Sequence, residues 1–419
     1  MMKRWIWTCA AALALPGWVS TAGAYSLLDR AYGTQELGIS ARSRAMGGTG
    51  AALGQGVYSL VDNPAALSLM RGNRFQIDGY LARSSENRFV PVFDTFDSFV
   101  DETAIAVNDD GYASIQGGVA FDKWGPRGPV VAAGIFNRYD PRYDYFNEIR
   151  TADNSDIILG NHYIETGGVL RAFSLGASLP IEDVAHVGAA VNYYFGTFRN
   201  RNALVAEPQA DFDTEITRSE RSVDGVSLTL GGAAQIDERI GVGASIETAP
   251  NLDDDATSWV NDTVIEESSG SGDLKLPLRV QGGFTYKPRN TLRTTFAGDF
   301  VYVPWSDLED HLNPDVALQD TWDIRFGLEH VFYNDLAGRI GFRFAEAYAM
   351  EEADRATFTF GFGYIVEQIQ IDLAGEVGKR NSRQEPVLER DAGPRIGLGT
   401  DRIEDTLVRV FLGANYSFE

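Results

Sequence analysis

From about residue 74 to the end, the sequence breaks into fourteen segments in which apolar and polar residues alternate with period two. They are 74–84, 111–121, 129–139, 163–179, 184–198, 222–236, 240–249, 275–286, 291–303, 321–332, 336–346, 356–366, 369–379 and 406–418, each of a length that can cross a bilayer when tilted. The connections run 26, 7, 23, 4, 23, 3, 25, 4, 17, 3, 9, 2 and 26 residues, so long and short alternate throughout. A soluble sandwich has no reason to collect its short turns at one end. A membrane barrel does, because its strands are joined by tight turns on one side and long loops on the other. The short connections carry turn chemistry, as in Asp237-Glu238-Arg239 and Lys287-Pro288-Arg289-Asn290. The pattern predicts an all-β chain, a 14-stranded antiparallel transmembrane β-barrel over 74–419.

The faces of the segments say what the wall touches. Segment 406–418 puts Val408, Val410, Leu412, Tyr416 and Phe418 on one face, with Arg409 and Asn415 on the other. Segments 275–346 oppose Val280, Phe284, Phe296, Phe300, Phe326 and Ile340 to Arg279, Arg293, Asp299, Arg325, Glu329, Arg339 and Arg343. Fourteen strands enclose a lumen too wide for wall side chains alone to fill. The apolar face is therefore expected to meet lipid, and those seven charged residues to line the lumen, paired so that opposite charges offset burial. Aromatic residues near segment ends, such as Tyr302, Trp305, Trp322, Tyr364 and Tyr416, suit interfacial girdles. Two segments break the alternation: 163–179 mixes Glu165 and Arg171 with Phe173 and Leu175, and 129–139 contains the run Val130 to Gly134. A bulge, a kink or a misplaced boundary would each produce this.

Residues 1–24 read as a secretory signal peptide: basic Lys3 and Arg4, an apolar stretch from Trp5 to Leu15, and Ala22-Gly23-Ala24 before a cut after Ala24. The one cysteine, Cys9, falls inside it, so neither a disulfide framework nor a thiol site is expected in the mature chain. The formal charge of -23 argues against nucleic acid as a partner. A mean hydropathy of -0.18 fits alternating strands and excludes a bundle of membrane helices.

Residues 25–73 do not read as a strand pair. They hold the Gly-rich stretch Arg44 to Ala52, with Met46, Gly47 and Gly48 at its centre, and then Asn63-Pro64-Ala65-Ala66-Leu67. Small residues permit close backbone approach, and Asn-Pro sets a turn before a short helical piece. The segment is either a flexible leader or a plug inside the lumen. With the block from Leu276 through Asp299 to Leu308 and the ending Leu412 to Phe418, these marks resemble the FadL/TodX family of outer-membrane transport proteins for hydrophobic compounds, and its broader superfamily including PorV-like barrels. The chain departs from such barrels in ending on Glu419 rather than an aromatic. The resemblance implies a fourteen-stranded barrel in the bacterial outer membrane with an N-terminal hatch over 25–73. It also implies passive, cofactor-free movement of long-chain fatty acids or other hydrophobic small molecules. Met46, Gly47, Gly48, Asn63 and Pro64 would then act in gating, and the irregular strand around Gly134 would be the lateral opening.

The long connection 85–110 carries Phe89, Phe93, Phe96 and Phe99 among acids, which suggests a hydrophobic capture groove or packing of a short helix. Acidic runs such as Asp253 to Asp255 and Asp401 to Asp405 read as solvated loop charge or as sites for cations bridging lipopolysaccharide. The histidines His162, His186, His311 and His330 have no metal-ligand spacing, and no catalytic motif is present. Three functions remain: a channel for hydrophobic compounds, a PorV-like barrel whose loops bind secreted proteins during export, and an outer-membrane hydrolase for which Ser178 and His186 are the available pair.

Overall fold

In the computed structural model the alternating segments close on themselves. The structure describes residues 27–93, 96, 98–125, 127–150, 157–182, 184–289, 293–387 and 400–418; the leader 1–24 lies outside them. The wall strands are β1 Asn73–Phe93, β2 Phe99–Phe121, β3 Val130–Asp140, β4 Leu170–Ile181, β5 Ala185–Ala206, β6 Glu215–Gln235 and β7 Ile240–Glu247. The circuit continues with β8 Arg279–Tyr286, β9 Thr294–Val303, β10 Thr321–Val331, β11 Ala337–Ala345, β12 Arg355–Val366, β13 Ile369–Gln384 and β14 Asp401–Phe418. Every neighbouring pair is antiparallel, and β14 returns to β1 from Asn73 opposite Phe418 to Phe89 opposite Arg402. A closed ring of fourteen strands leaves no wall edge at its seam. No helix among the described residues is long and apolar enough to cross a membrane.

The alternation sorts as expected. On β14, Val408, Val410, Leu412 and Tyr416 are exposed while Arg409, Phe411 and Asn415 are buried. Phe284, Phe300, Phe326, Ile340, Phe360 and Leu373 extend the exposed apolar surface around the ring. From Val408 to Tyr416 the outward apolar run rises roughly 20 Å, taking about 3.3 Å per residue and a tilt of about 40°. Water offers no reason to display so much hydrocarbon; lipid does. At one end of the band the outward residues become charged and pair across strands, Arg83 with Asp109 and Arg199 with Glu220.

The long connections are mostly not loops. Residues 85–110, expected as a loop with an aromatic groove or a short helix, continue the β1–β2 ladder up to Phe93 opposite Phe99. β5 and β6 likewise run past the band, and two extra hairpins extend the sheet beyond it. Tyr143–Arg150 with Ile158–Gly167 adds to β5, and Asn251–Val260 with Thr263–Lys275 adds to β6. Segment 163–179 was therefore two elements joined, the hairpin strand to Gly167 and β4 from Leu170, separated by Gly168 at φ +107. Glu165 and Arg171 stand above the apolar band, whereas Phe173 and Leu175 stand in it, and this explains the mixed face.

β3 is irregular for a different reason. It pairs with β2 only from Gly117–Ile135 to Phe121–Val131, then leaves it, while its ladder with β4 continues to Tyr139. Past Ile135 the alternation ends and residues 136–140 are all buried. There β3 picks up the two-residue strand Thr34–Gln35 of the N-terminal segment.

That segment fills the barrel. Its short helices, Ala41–Arg44, Gly56–Tyr58, Ser59–Asp62 and Pro64–Leu69, pack Leu37, Met46, Tyr58, Leu60 and Leu67 away from solvent. Ser40 caps the first helix by accepting from Ser43 N–H, and Asn63 caps the last by accepting from Ala65 N–H.

Candidate functional site

Three features of the interior bear on function: the docking of the N-terminal segment, the gap between β2 and β3, and the cavities at the end with long connections. The docking rests on small residues in both partners. Gly47 and Gly48 adopt φ +71 and +85, a region open chiefly to glycine. Gly47 N–H donates to Thr359 Oγ1 at 2.9 Å and Arg325 Nη1 donates to Gly48 O at 3.0 Å. Met46 presses on the wall so closely that a Cβ at Gly327 would lie 2.5 Å from its own. Elsewhere on the wall, Asn63 Nδ2, which also donates to Ala51 O of its own segment at 2.7 Å, donates to Gly232 O at 3.0 Å, and a Cβ at Gly188 would meet the Pro64 backbone at 2.4 Å. The five residues expected to act in gating are thus spread along the contact between segment and wall.

The lumenal charges hold the same contact. Asp299 Oδ2 accepts from Gly50 N–H at 2.6 Å and Ala51 N–H at 2.8 Å. Glu329 takes Arg42 through both oxygens, at 2.8 and 3.0 Å, and Arg339 at 2.7 Å. Arg325 and Arg343 share Asp323, at 2.5 and 2.8 Å. Arg279 bonds Val61 O at 2.5 Å and Glu247 at 3.1 Å. Arg293 is the exception. It sits exposed beside the short turn after β10, bonded to Phe332 O and Asp335, because the ladder of β9 begins one residue later at Thr294. Sequence reasoning missed the partners, above all Glu247, Arg138, Glu36 and Arg42. Glu247 continues the inward face of segment 240–249 after Gly241, Gly243 and Ser245, where nothing marked it as a partner for arginines, and Glu36 lies in the N-terminal segment, where no alternating run marked its facing.

The wall gap opens where β3 leaves β2, at the depth of the apolar band: Ile115 and Ile135, which flank it, are 64% and 47% exposed. No backbone ladder joins the strands beyond that point among the described residues. Side chains close it instead. Asn137 Nδ2 donates to Ser114 Oγ at 2.5 Å, Asn137 N–H to Gln116 Oε1 at 3.3 Å, and Arg142 Nη1 to Ala113 O at 3.1 Å. Gly134 sits one rung before the last, opposite Gly118, where a Cβ would meet the Phe136 ring at 2.4 Å.

Beyond the band, a cavity of about 490 Å³ is lined by Tyr32, Phe198, Trp259, Ile265, Leu274 and Leu312. It adjoins a wider, polar cleft of about 820 Å³ that includes Asp144, Glu165, Arg199 and Asp262. Arg221 and Asp310 pair at 2.9 Å on the rim, with Tyr32 OH donating to Asp310 at 2.9 Å. Burial opposes ionisation of Asp310, but Arg221, Asn313 and Tyr32 outweigh it and hold the carboxyl below its usual range. The expected capture residues are elsewhere. Phe89 lies under the Arg402 guanidinium at 4.2 Å, and Phe96 and Phe99 are exposed at the tip of the β1–β2 ribbon. The side chain of Phe93 lies outside the described residues. Phe89, Phe96 and Phe99 line neither cavity. The cavity floor was illegible because its residues come from β5, a hairpin and the N-terminal segment.

Other expectations changed. Asp254 is buried against Arg221, and Asp401 and Asp405 are buried in β14 against Arg88 and Arg380, so these are not solvated loop acids. Among the described residues no three metal-ligating side chains converge. Ser178 and His186 do meet, through Ser68 of the N-terminal segment, at 2.8 and 2.7 Å from its hydroxyl. Ser178 also donates to Ala65 O at 2.8 Å, and both serines are buried, which makes the trio a tie between segment and wall.

A family model described as BamG matches residues 1–391. No curated protein matches. Several solved structures share the fold. A Pseudomonas aeruginosa FadL homologue aligns with TM-score 0.66 and 14% identity, covering 92% of this chain and 100% of its own. The Ralstonia pickettii toluene transporter TbuX aligns at 0.63 and 17% identity, covering 91% and 98%. The Pseudomonas putida toluene transporter TodX aligns at 0.62 and 14%, covering 93% and 99%.

Proposed function

The chain belongs to the BamG family, and from that premise, with its barrel architecture, we propose that it is a bacterial outer-membrane channel for passive uptake of hydrophobic small molecules, long-chain fatty acids among them. The observation that carries this reading is the gap between β2 and β3 at the depth of the apolar band. A solute that dissolves in hydrocarbon gains nothing by crossing a polar lumen into water, and a side opening delivers it directly into lipid. The similar structures, toluene transporters and a FadL homologue, agree with such cargo. In this reading the segment 25–73 is the hatch, the leader 1–24 directs export, and the aromatic-floored cavity is where cargo first lodges. The apolar band would face lipid, and the charged ribbons above it lipopolysaccharide.

The test closes the gap. The only cysteine is Cys9, in the leader, so Ser114→Cys with Asn137→Cys gives a clean pair that a short thiol crosslinker can bridge. Bridging is expected to stop uptake of a labelled fatty acid or aromatic hydrocarbon, and cleaving the bridge to restore it. Full uptake through the bridged barrel would refute lateral delivery.

A second reading, a barrel that binds secreted proteins during export, is favoured by one observation. Among the described residues the β2–β3 ladder does not extend from Gln116 back to Phe99, and Phe96, Phe99 and Val107 are exposed nearby. Loss of a surface protein on deletion, with uptake intact, would select it.

A further inference from the structure

A small cavity beside the entry of the N-terminal segment carries a cation with two unmet donors. Its volume is about 90 Å³, room for a few waters or one small anion. Trp305, stacked on Tyr348 at 4.3 Å between ring centroids, forms its apolar side with Val301, Val303 and Leu407. Arg343, Arg355, Arg380 and Arg409 form the other.

Three of those four guanidiniums are matched. Arg343 holds Asp323 at 2.8 Å, Arg380 holds Asp29 and Asp405 at 3.0 Å each, and Arg409 holds Glu36 at 2.6 Å as well as Glu376. Arg355 is not. Its only carboxylate contact among the described residues is Asp29 at 3.9 Å, and its Nε and Nη2 are buried without a hydrogen-bond partner. Asp29 is turned to Arg380 instead, its two oxygens accepting from Arg380 Nη1 and Nη2 at 3.4 and 3.0 Å. Glu346, on the cavity lining, spends Oε2 on the Trp322 N–H at 2.8 Å.

A buried charge with unmet donors is costly, and a planar guanidinium fork is satisfied best by two oxygens of one oxyanion. We infer that this cavity binds a small oxyanion, a carboxylate or phosphate group, held bidentately by Arg355 against the face of Trp305. The site goes beyond the transport reading and stands without it: the oxyanion is either a free ion or the head of an amphiphile whose tail follows the apolar side. Bound there, it would supply Arg355 with the hydrogen-bond acceptors it lacks where Asp29 and Thr34–Gln35 join the wall.

The experiment uses the full mature protein in neutral detergent, at constant ionic strength set with chloride. Inorganic phosphate, acetate and octanoate are titrated separately while tryptophan fluorescence and thermal unfolding are followed. A saturable fluorescence change with a rise in Tm for at least one of them supports the site, and Arg355→Gln should weaken that response at least tenfold. Lys123→Gln, an exposed cation near the opposite end, should leave it unchanged. Octanoate tighter than acetate identifies the head of an amphiphile; equal response to all three identifies a free ion. Should Arg355→Gln fail to fold, Arg355→Lys keeps the charge, loses the fork and should still weaken binding. No saturable response to any of the three, or an undiminished response in a folded Arg355 variant, overturns the proposal. Uptake through the side gap is measured separately, so failure of either idea leaves the other intact.

Discussion

Replacing Glu247 by glutamine should destabilise the barrel far beyond an ordinary isosteric change. Glu247 ends β7 inside the lumen and accepts from Arg138 at 2.5 Å, Tyr194 OH at 2.7 Å and Ser227 OH at 2.7 Å, with Arg279 at 3.1 Å. The side chains of Arg138 and Arg279 are 0% and 2% exposed. Glutamine keeps the shape and removes the charge, so two buried guanidiniums lose their shared counterion. Breaking a buried pair in this way costs about 3–5 kcal/mol, a loss of roughly two to four powers of ten in the folding equilibrium. Arg279 also holds Val61 O, so the loss should extend to the N-terminal segment. The assay is reversible urea unfolding in lipid vesicles, followed by tryptophan fluorescence and by the faster gel migration of unboiled folded barrel. Arg138→Met added to Glu247→Gln removes one of the stranded charges and should recover part of the loss, since contacting residues couple. A Glu247→Gln variant within about 1 kcal/mol of the parent, or a double variant that recovers nothing, would refute the view that paired charges stabilise the lumen.

Two further outcomes are expected. Burial, then Asp110 and Glu165 nearby, pushes Asp144 on the outer hairpin up to about 7. Its folded form therefore keeps a proton that the unfolded chain has already lost, and stability falls as pH rises from about 4 to 7, then levels. Asp144→Asn should gain on the parent over that window in thermal unfolding; a gap constant with pH would count against it. Gly341→Val should unseat the N-terminal segment, because its Cβ would lie 2.2 Å from Gly47 N and 2.4 Å from Met46 C. Ion conductance of the reconstituted barrel should rise, while Gly232→Ala, whose Cβ meets nothing within 4 Å, should stay near the parent. Equal conductance in the two would mean the segment does not obstruct the lumen.

The barrel was legible because strand alternation survives any register: Val408, Val410 and Leu412 face out whichever strands neighbour β14. The count of fourteen held although individual boundaries moved, since turns such as Asp237-Glu238-Arg239 mark the ends inside the band. The long end was misread as loops for the complementary reason. Above the band the outward faces of β1, β2, β5 and β6 meet water and the inward faces mix charged residues such as Glu86 and Arg88 with apolar ones such as Val90 and Ala106, so the period-two signal fades while the ladder continues. Lumenal arginines showed as the charged face of a strand. Their partners did not, because Glu36, Arg42 and Gly48 come from a segment with no periodicity, and pairing across a lumen leaves no trace in sequence spacing. Gly134 lies one rung from where the β2–β3 ladder ends, but the gap itself is a missing ladder, which depends on where β3 goes after Ile135 rather than on any one residue.

The side gap is closed as the structure stands, and its closure sets the terms on which the proposed channel would work. Asn137 makes two of the bonds across it and Arg142 a third. At about 1 kcal/mol for each neutral bond and 1.5–3 for one from a charged donor, parting them costs about 3–5 kcal/mol. The open form is then roughly one molecule in 10² to 10⁴ without cargo. Such a gap excludes water and ions from the apolar band at rest, yet a cargo that binds the open form a thousandfold better would hold it open. Asn137→Ala removes the side-chain bond to Ser114 and should raise the open fraction about fivefold, worth roughly 1 kcal/mol. Labelling of Ser114→Cys by a thiol reagent dissolved in the membrane should accelerate by the same factor, and an unchanged rate would show that these bonds are not what keeps the strands together.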